Sequence, residues 1–265
     1  MSFRFHKMHG LGNDFVVIDA RESAVAITPA RARAIADRRE GIGCDQLILV
    51  EPSEVADARM RIWNPDGSEV GACGNASRAV ALLLGKAATL ETGGGILRLA
   101  MDGVLATVDM GQPRFDWDAI PLAYPMDTRT MPVGWEGLTS PAAVNVGNPH
   151  VIFFVDNNRG VDLERLGPLI EHDPLFPERV NVNVATVEAR DRLLLRVWER
   201  GAGLTRACGT GACATAVAAI RAGLVETPVT VALPGGELLI DWTPGGNITM
   251  AGPATHVFTG EATDL

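Results

Sequence analysis

Short apolar runs rich in β-branched and aromatic residues recur along the chain, and they predict β-strands. Turn-forming Gly, Pro, Asn or Asp residues lie near each run, as is common at the ends of strands. The runs fall into two matching sets, residues 16–18, 60–63 and 96–99 in the first half and residues 151–154, 193–198 and 238–240 in the second. The pattern therefore predicts a chain rich in β-sheet, with the strands in two similar groups.

Two alanine-rich stretches predict one helix in each half. They cover residues 76–84 and 212–222, and each is followed by a glycine, Gly85 and Gly223. A glycine is favoured just after a helix because it adopts the left-handed conformation at little cost. Many strands with one main helix per half predict an α+β fold, in which each half is a mostly antiparallel sheet packed on a central helix. A dinucleotide-binding fold is disfavoured, since Gly10-x-Gly12 lacks a third glycine and precedes a strand.

The sequence repeats itself at an offset of 135 residues. This offset places Trp63 on Trp198 and Cys73 on Cys208, and it places the Gly-Asn pair at 12–13 on the Gly-Asn pair at 147–148. A later match needs an offset of 141, which implies a length change of six residues between the halves. Such self-similarity predicts two pseudo-symmetric domains that arose by internal duplication. We expect domains at 1–116 and 117–265, joined in the Pro-rich stretch 115–141, with the last residues free to pack back on the first domain.

The composition is that of a folded, acidic protein. Apolar residues make up 47% of the 265 residues, and the net charge is −9. The negative charge and the 5% aromatic content argue against nucleic-acid binding. No apolar run approaches the ~18 residues that span a bilayer, and the beginning of the chain lacks a signal-peptide pattern. We therefore expect a cytoplasmic protein without membrane contact, whose four cysteines are reduced.

The repeated Cys-Gly pair is the strongest candidate for chemistry. Cys73 and Cys208 each lie where a loop meets a predicted helix, so the helix dipole is expected to lower the pKa of each thiol. The amides of the following residues, Gly74-Asn75 and Gly209-Thr210, can bind a carboxylate. Two such halves would direct both thiols and both helix starts at one interdomain cleft.

Two acid/base groups that face one anchored carbon suit the inversion of a stereocentre without a cofactor. One group removes the proton α to a carboxylate, and the other delivers a proton to the opposite face. The helix amides stabilise the enediolate that develops. Arg200 is the best candidate for a second carboxylate of the substrate, because its planar guanidinium matches that group. Polar residues at matching positions of the halves are candidates to hold the rest of a zwitterionic substrate: Asn13, Gln46, Asn64, Asn148, Asn181, Glu199 and Arg200.

Other readings of these residues lead to different functions. A buried cysteine is more often a small apolar residue than a catalyst, and this is our interpretation of Cys44 and Cys213. No Cys-x-x-Cys pair occurs, so no metal site is predicted. An alternative function of a different class is that of a non-catalytic dithiol protein that binds a ligand or senses redox state.

Several motifs together resemble the diaminopimelate epimerase family over almost the full length of the chain. They include Met8-His9-Gly10-Leu11-Gly12-Asn13-Asp14-Phe15, Cys73-Gly74-Asn75, Gly147-Asn148-Pro149-His150 and the stretch from Glu199-Arg200-Gly201 to Ala207-Cys208-Gly209-Thr210-Gly211. The resemblance implies a pyridoxal-independent isomerase that interconverts LL- and meso-diaminopimelate in lysine and peptidoglycan precursor biosynthesis. It also implies a homodimer and the fold of that family.

The resemblance assigns roles to individual residues. It implies that Cys73 and Cys208 are the acid/bases, assisted by His150 and Glu199. It implies that Gly74, Asn75, Gly209 and Thr210 bind the reacting carboxylate, and that the polar residues named above line the substrate. Ala76 departs from the family's usual glycine; a helical position tolerates its methyl group, whereas a position with positive φ would change the site. The rival substrates are other amino acids, such as histidine or hydroxyproline.

Overall fold

A computed structural model describes residues 2–71, 74–103 and 105–263. The chain divides into two compact units, Met1–Asp109 with Ala251–Leu265, and Met110–Met250. The division therefore falls a few residues before the expected boundary at 116/117, and the last strand belongs to the first unit. The stretch 115–141, which we expected to join the halves, lies within the second unit, where Ile120, Leu122 and Met131 are buried in the core.

The elements follow one another in two similar series. The first contains β1 (Phe3–Gly10), β2 (Asn13–Asp19), α1 (Pro29–Ala36), β3 (Gln46–Glu51), β4 (Ala58–Trp63), β5 (Glu69–Val70), α2 (Gly74–Leu84), β6 (Ala88–Thr92), β7 (Gly95–Asp102) and β8 (Leu105–Asp109). The second contains β9 (Gly134–Trp135), β10 (Leu138–Thr139), β11 (Ala142–Asn145), β12 (Pro149–Phe154), a 3₁₀ turn (Asn158–Gly160), α3 (Leu163–Glu171), β13 (Asn181–Ala189), β14 (Arg192–Glu199), β15 (Gly203–Thr205), α4 (Gly209–Arg221), β16 (Val229–Leu233) and β17 (Gly236–Asp241). The chain ends with β18 (Thr249–Pro253) and β19 (Thr255–Ala262).

The sheets of the two units share a common pattern of strand pairings, and the first unit also contains β1–β19 and β7–β8. In the first unit β2 runs parallel to β3 and β4 runs parallel to β6, while β1–β2, β1–β19, β3–β4, β4–β5, β6–β7 and β7–β8 are antiparallel. In the second unit β12 runs parallel to β13 and β14 runs parallel to β16, while β11–β12, β13–β14, β14–β15 and β16–β17 are antiparallel. The mostly antiparallel α+β fold is confirmed.

The strand registers repeat at the offset found in the sequence. Pairs of residues opposite each other in the first sheet recur 135 positions later in the second. Phe15↔Gln46 corresponds to His150↔Asn181, Leu47↔Trp63 to Val182↔Trp198, and Ile62↔Val70 to Val197↔Thr205. The pairs Ala58↔Leu90 and Leu193↔Val231 show the change to 141 after the main helix. The duplication is therefore confirmed in the hydrogen-bonding pattern of each sheet.

The two predicted helices are α2 and α4, which begin slightly earlier than expected. α2 ends directly before Gly85 and α4 ends two residues before Gly223, and these glycines have φ of +66° and +72°. α4 is buried on nearly all sides, because its Ala and Gly residues let strands of the second unit approach closely. The sequence patterns do not predict α3, which begins at the N-cap Asp162 and contains Pro168. Within the part of the chain that is described, no helix is both long and apolar enough to cross a membrane.

Candidate active site

Cys208 is the N-cap of α4. Its backbone is extended, with φ −128° and ψ 109°, and its Sγ accepts a hydrogen bond from the Gly211 amide at 3.4 Å. Only 3% of the residue is exposed. Gly209 and Thr210 follow in the first turn, where backbone amides have no partner within the helix. The thiol therefore lies beside amides that are oriented to receive an anion.

The prediction that the helix start gives this thiol a lowered pKa was wrong for Cys208. Burial and the neighbouring Glu199 carboxylate raise the pKa of Cys208 well above its ordinary value. Hydrogen bonds from Thr210 and from the Gly211 amide act in the opposite direction but are outweighed. A thiolate in this pocket loses hydration and meets a like charge, and both effects exceed the attraction of the helix end. Cys208 is therefore a thiol, the form that can donate a proton.

Glu199 supplies a partner for that proton. It ends β14, and its Oε1 accepts a 2.6 Å hydrogen bond from Thr205 Oγ1. Its carboxylate also interacts with the Cys208 side chain. Burial raises the pKa of Glu199, whereas the interactions with Thr205 and Cys208 lower it. The β14–β15 hairpin thus holds a carboxylate against the thiol, and the pair can exchange a proton.

His150 lies in β12 with no exposed surface. Its Nε2 is 3.0 Å from Asn148 Oδ1, and its Nδ1 is 3.1 Å from Asn183 Nδ2 and 3.4 Å from Asn183 Oδ1. Burial lowers the pKa of His150 to about 3, assisted by the charge of Arg200. The imidazole is therefore neutral at physiological pH. Asn148 in turn donates to Thr210 Oγ1 at 3.3 Å, which connects His150 to the first turn of α4.

Asn181 and Arg200 form one hydrogen-bonded group. The buried Asn181 accepts a 3.0 Å hydrogen bond from the Arg200 amide and donates to Pro149 O at 2.8 Å. The guanidinium of Arg200 donates to Glu178 O at 2.9 Å. Asn181, at the start of β13, thus fixes the backbone that carries Arg200 in the turn after Glu199.

Glu171 is a site residue that the sequence analysis missed. It ends α3 and is 3% exposed, and it accepts hydrogen bonds from Trp198 Nε1 at 2.7 Å and from the Gly201 amide at 3.0 Å. These two donors flank Glu199 and Arg200 in the chain. The carboxylate therefore fixes the turn between β14 and β15. Glu171 lies in no recognisable motif. The only sequence signal related to it is the repeated Trp198, whose side chain it binds.

In the first unit, Asn13 and Asp45 form a polar group at the turn between β1 and β2. Asn13 Nδ2 donates to Asp45 Oδ2 at 3.1 Å, and the Asp14 amide donates to the same oxygen at 3.0 Å. Lys7 and Arg38 form ion pairs with Asp14, and they hold the pKa of that carboxyl well below its usual range. This network fixes the side chain of Asn13.

Gln46 and Asn64 lie together on β3 and at the end of β4. Gln46 Nε2 donates to Asn64 Oδ1 at 3.2 Å, and Asn64 Nδ2 donates to Ser68 Oγ at 3.2 Å. Gln46 Oε1 is buried and has no hydrogen-bond partner among the described residues. A buried acceptor without a partner is costly, so this oxygen is suited to receive an N–H group of a ligand.

The start of α2 carries Gly74, Asn75 and Ala76, all buried. Asn75 Oδ1 accepts a 2.7 Å hydrogen bond from the buried Arg78. Ala76 is a regular helical residue in the first turn, where its methyl group is tolerated. Cys73, which we predicted to be one of the two acid/bases, lies outside the described residues.

Comparison with solved structures identifies the class of fold. The chain is similar to the Bacillus anthracis phenazine biosynthesis protein of the PhzF family, with a TM-score of 0.68 and 18% identity over 100% of both chains. At this identity the similarity shows the fold, a two-domain α+β architecture, and not the reaction.

Comparison of sequences identifies the family. The model of the family described as diaminopimelate epimerase matches residues 5–115 and 142–257. Relatives named diaminopimelate epimerase include one from Rhizorhabdus wittichii, 69% identical over 100% of this chain and 97% of the relative. Another, from Sphingopyxis alaskensis, is 67% identical over 98% of this chain and 97% of the relative. The chain therefore belongs to the diaminopimelate epimerase family, and it is an isomerase.

Proposed function

We propose that this chain interconverts LL- and meso-diaminopimelate, without a cofactor, in the synthesis of lysine and of peptidoglycan precursors. Relatives that share more than half of its residues carry the name of this epimerase. The observation that carries the mechanism is the buried Cys208 thiol beside the Glu199 carboxylate at the first turn of α4. A thiol with a carboxylate beside it can lose and regain a proton during turnover.

The proposed reaction uses two cysteines. A thiolate takes the proton from the α-carbon, and the electron pair of the C–H bond moves into the carboxylate to form an enediolate. The thiol of the other cysteine then delivers its proton to the opposite face, so the configuration is inverted. Cys73 and Cys208 are these two groups, and they exchange roles between the two directions of reaction. Glu199 accepts and returns the proton of Cys208, and His150 assists catalysis.

Backbone amides stabilise the charge that develops on the reacting carboxylate. Gly74 and Asn75 begin α2, and Gly209 and Thr210 begin α4, so each pair offers first-turn amides and the positive end of a helix dipole. Donors of this kind act when charge moves onto the carboxylate oxygens, and removal of one such donor typically slows a reaction by about 10²–10³.

Polar side chains hold the rest of the substrate. The unpartnered Oε1 of Gln46 receives a substrate ammonium group. Asn13, Asn64, Asn148, Asn181 and Glu199 complete the polar surroundings. Arg200 binds the distal carboxylate, which histidine and hydroxyproline lack.

The role of Arg200 is tested by Arg200→Lys. Lysine keeps the charge but cannot form two parallel hydrogen bonds to a carboxylate, so KM for diaminopimelate should rise about tenfold with a smaller change in kcat. Steady-state kinetics measure both constants, and Arg190→Gln, an exposed arginine paired with Glu226, is the matched control. An unchanged KM in the lysine variant contradicts the assignment.

The chain acts in the cytoplasm as a homodimer in this proposal. The proposed role in lysine and peptidoglycan precursor synthesis supports the first statement, and the resemblance to the family supports the second. Light scattering of the purified protein tests the dimer, because a monomer at micromolar concentration contradicts it.

The experiment that tests the function is the exchange of solvent deuterium into the α-carbon, measured with diaminopimelate, histidine and hydroxyproline. We expect rapid exchange with diaminopimelate alone, and its loss in Cys73→Ala and in Cys208→Ala. Cys213→Ala, at a buried position in the same helix as Cys208, should keep the exchange. Exchange with another amino acid and none with diaminopimelate would identify a different racemase. Tight binding of diaminopimelate without exchange would favour a binding protein.

A further inference from the structure

A series of hydrogen bonds between buried and half-buried side chains leads from β13 to Cys208. It contains Asn183, His150, Asn148 and Thr210, and it ends where Thr210 Oγ1 lies 3.5 Å from Cys208 Sγ. Asn183 and His150 have no exposed surface, so water does not compete for their hydrogen bonds. Neither the family resemblance nor the relatives' names give a role to Asn183.

The orientation of the Asn148 amide sets the directions of these hydrogen bonds. Asn148 Oδ1 can only accept, so the proton of the neutral imidazole lies on His150 Nε2. Nδ1 then carries a lone pair, which accepts from Asn183 Nδ2 at 3.1 Å, the nearer of the two amide atoms, since Asn183 Oδ1 lies at 3.4 Å. The amide nitrogen of Asn148 donates to Thr210 Oγ1, which leaves the hydroxyl hydrogen of Thr210 free to point at Cys208 Sγ.

We propose that Asn183 is a positioning residue that holds His150 in its Nε2–H form and thereby directs the Thr210 hydroxyl to donate to Cys208 Sγ. The role of Cys208 in this statement rests on the proposed function. Asn183 acts through three other side chains. If the imidazole were turned to the Nδ1–H form, Asn148 would have to rotate its amide, and Thr210 would donate to Asn148 instead of to sulfur.

The consequence is a better-stabilised thiolate at Cys208. A hydrogen bond donated to an anion is worth more than one donated to a neutral group, so the Thr210 hydroxyl favours ionisation of the thiol. It assists the Gly211 amide on α4 and opposes Glu199 on β14, whose charge disfavours the thiolate. Arg200 is the charged group that acts on His150, and it helps keep that ring neutral.

The first experiment measures the tautomer of His150 by ¹⁵N NMR of histidine-labelled protein, with His150→Gln used to assign the signal. We expect the proton on Nε2 at neutral pH in the natural chain. A proton on Nδ1, or on both nitrogens, would overturn the proposal. In Asn183→Asp the new carboxylate accepts a hydrogen bond, so a proton should appear on Nδ1. An unchanged tautomer in folded Asn183→Asp would show that Asn183 does not set it.

The second experiment measures the pH dependence of Cys208 alkylation by iodoacetamide, followed on the Cys208 peptide by mass spectrometry. Thr210→Val removes the hydroxyl and keeps the shape and the backbone amide, so alkylation at a fixed pH below the midpoint should slow about tenfold. Thr210→Ser, which keeps the hydroxyl, should match the natural chain. Equal midpoints in the valine and serine variants would overturn the proposal, and this comparison does not require Asn183→Asp to fold.

A double variant with Asn183→Asp and Thr210→Val shows whether these two residues act on Cys208 through one series of hydrogen bonds or independently. Asn183→Asp should raise the alkylation midpoint as much as Thr210→Val does, and the two changes together should raise it no further. Additive shifts would contradict the series. The tautomer and alkylation measurements need no turnover. They can therefore contradict the role of Asn183 even if Cys208→Ala abolishes deuterium exchange as the proposed function predicts. Full exchange in Cys208→Ala would refute the proposed function instead.

Discussion

At the scale of single residues, the main result is that burial and a neighbouring carboxylate determine the state of Cys208. The sequence places this cysteine at a helix start, which favours a thiolate. In the folded structure the thiol is buried away from water and lies beside the Glu199 carboxylate, and both effects raise its pKa. The chemistry that follows is transfer of a proton between sulfur and carboxylate, rather than a permanently ionised nucleophile.

This view predicts opposite effects of Glu199→Gln on thiol ionisation and on turnover. Loss of the negative charge should lower the pKa of Cys208, so iodoacetamide should alkylate Cys208 faster at pH 8. Turnover of diaminopimelate should nevertheless fall by about 10²–10⁴, because the amide cannot accept the proton. The exposed Glu188→Gln is the matched control for both assays. Slower alkylation in Glu199→Gln would show that the carboxylate does not oppose the thiolate.

The sequence identified most candidate residues but not their interactions. Cys208, Glu199, Asn148 and His150 were predicted, and the structure places them in one region of the second unit. The raised pKa of the thiol was not predicted, because it depends on how completely strands distant in sequence exclude water. No sequence pattern reports that quantity.

At the scale of elements, the β14–β15 hairpin is held by α3. Glu171 binds Trp198 and the Gly201 amide, and Gly167 of the same helix lies so close to Trp198 that an added Cβ would come within 2.4 Å of its ring. α3 and the β14–β15 hairpin are therefore packed so closely that no side chain fits at Gly167. Because this hairpin carries Glu199 and Arg200, its position affects both the proton partner and substrate binding.

Glu171→Gln should weaken this attachment, because a glutamine has one acceptor oxygen for two donors. The variant should lose about 1–3 kcal/mol of unfolding free energy, and KM should rise more than kcat falls, through displacement of Arg200. Chemical denaturation and steady-state kinetics measure these effects.

A double variant provides the control for Glu171. Trp198→Phe removes one of the two donors, so adding it to Glu171→Gln should cost less than the sum of the single changes. Strict additivity of the two changes would contradict a shared hydrogen bond.

The elements themselves were predicted unevenly, for physical reasons. The glycines after α2 and α4 and the paired strands follow from local patterns, and both are confirmed. α3 contains Pro168 and was not predicted, since proline inside a helix normally argues against one. The hairpin β9–β10 lies in the Pro-rich stretch, whose apolar residues contribute to the second core without a periodic pattern.

At the scale of the whole molecule, buried neutral groups make stability depend on pH. His150 has an ordinary pKa of 6.5 when unfolded, and burial lowers it to about 3. Between these values the unfolded chain binds a proton that the folded chain does not, so stability falls as the pH falls from 6.5 toward 3. The depressed pKa of Asp14 adds an effect of the same sign at lower pH.

His150→Gln should therefore reduce the loss of stability in acid. One proton corresponds to a slope of about 1.4 kcal/mol per pH unit, and the variant should lack this contribution between pH 6 and pH 4. Urea denaturation at several pH values measures the slope. His172→Gln, at an exposed histidine, should keep the slope of the natural chain. If stability depends on pH with the same slope in the natural chain, His150→Gln and His172→Gln, then His150 is not buried as a neutral group.

The central claim for the whole molecule is that two different groups remove and deliver the α-proton. It is tested most directly by early turnover of unlabelled LL-diaminopimelate in D₂O, with the deuterium content of product and remaining substrate measured separately. Two acid/bases predict meso product that carries one deuterium at the inverted carbon, while the remaining LL isomer carries almost none. Deuterium appearing equally in both isomers, or meso product that keeps the original proton, would contradict the two-cysteine account.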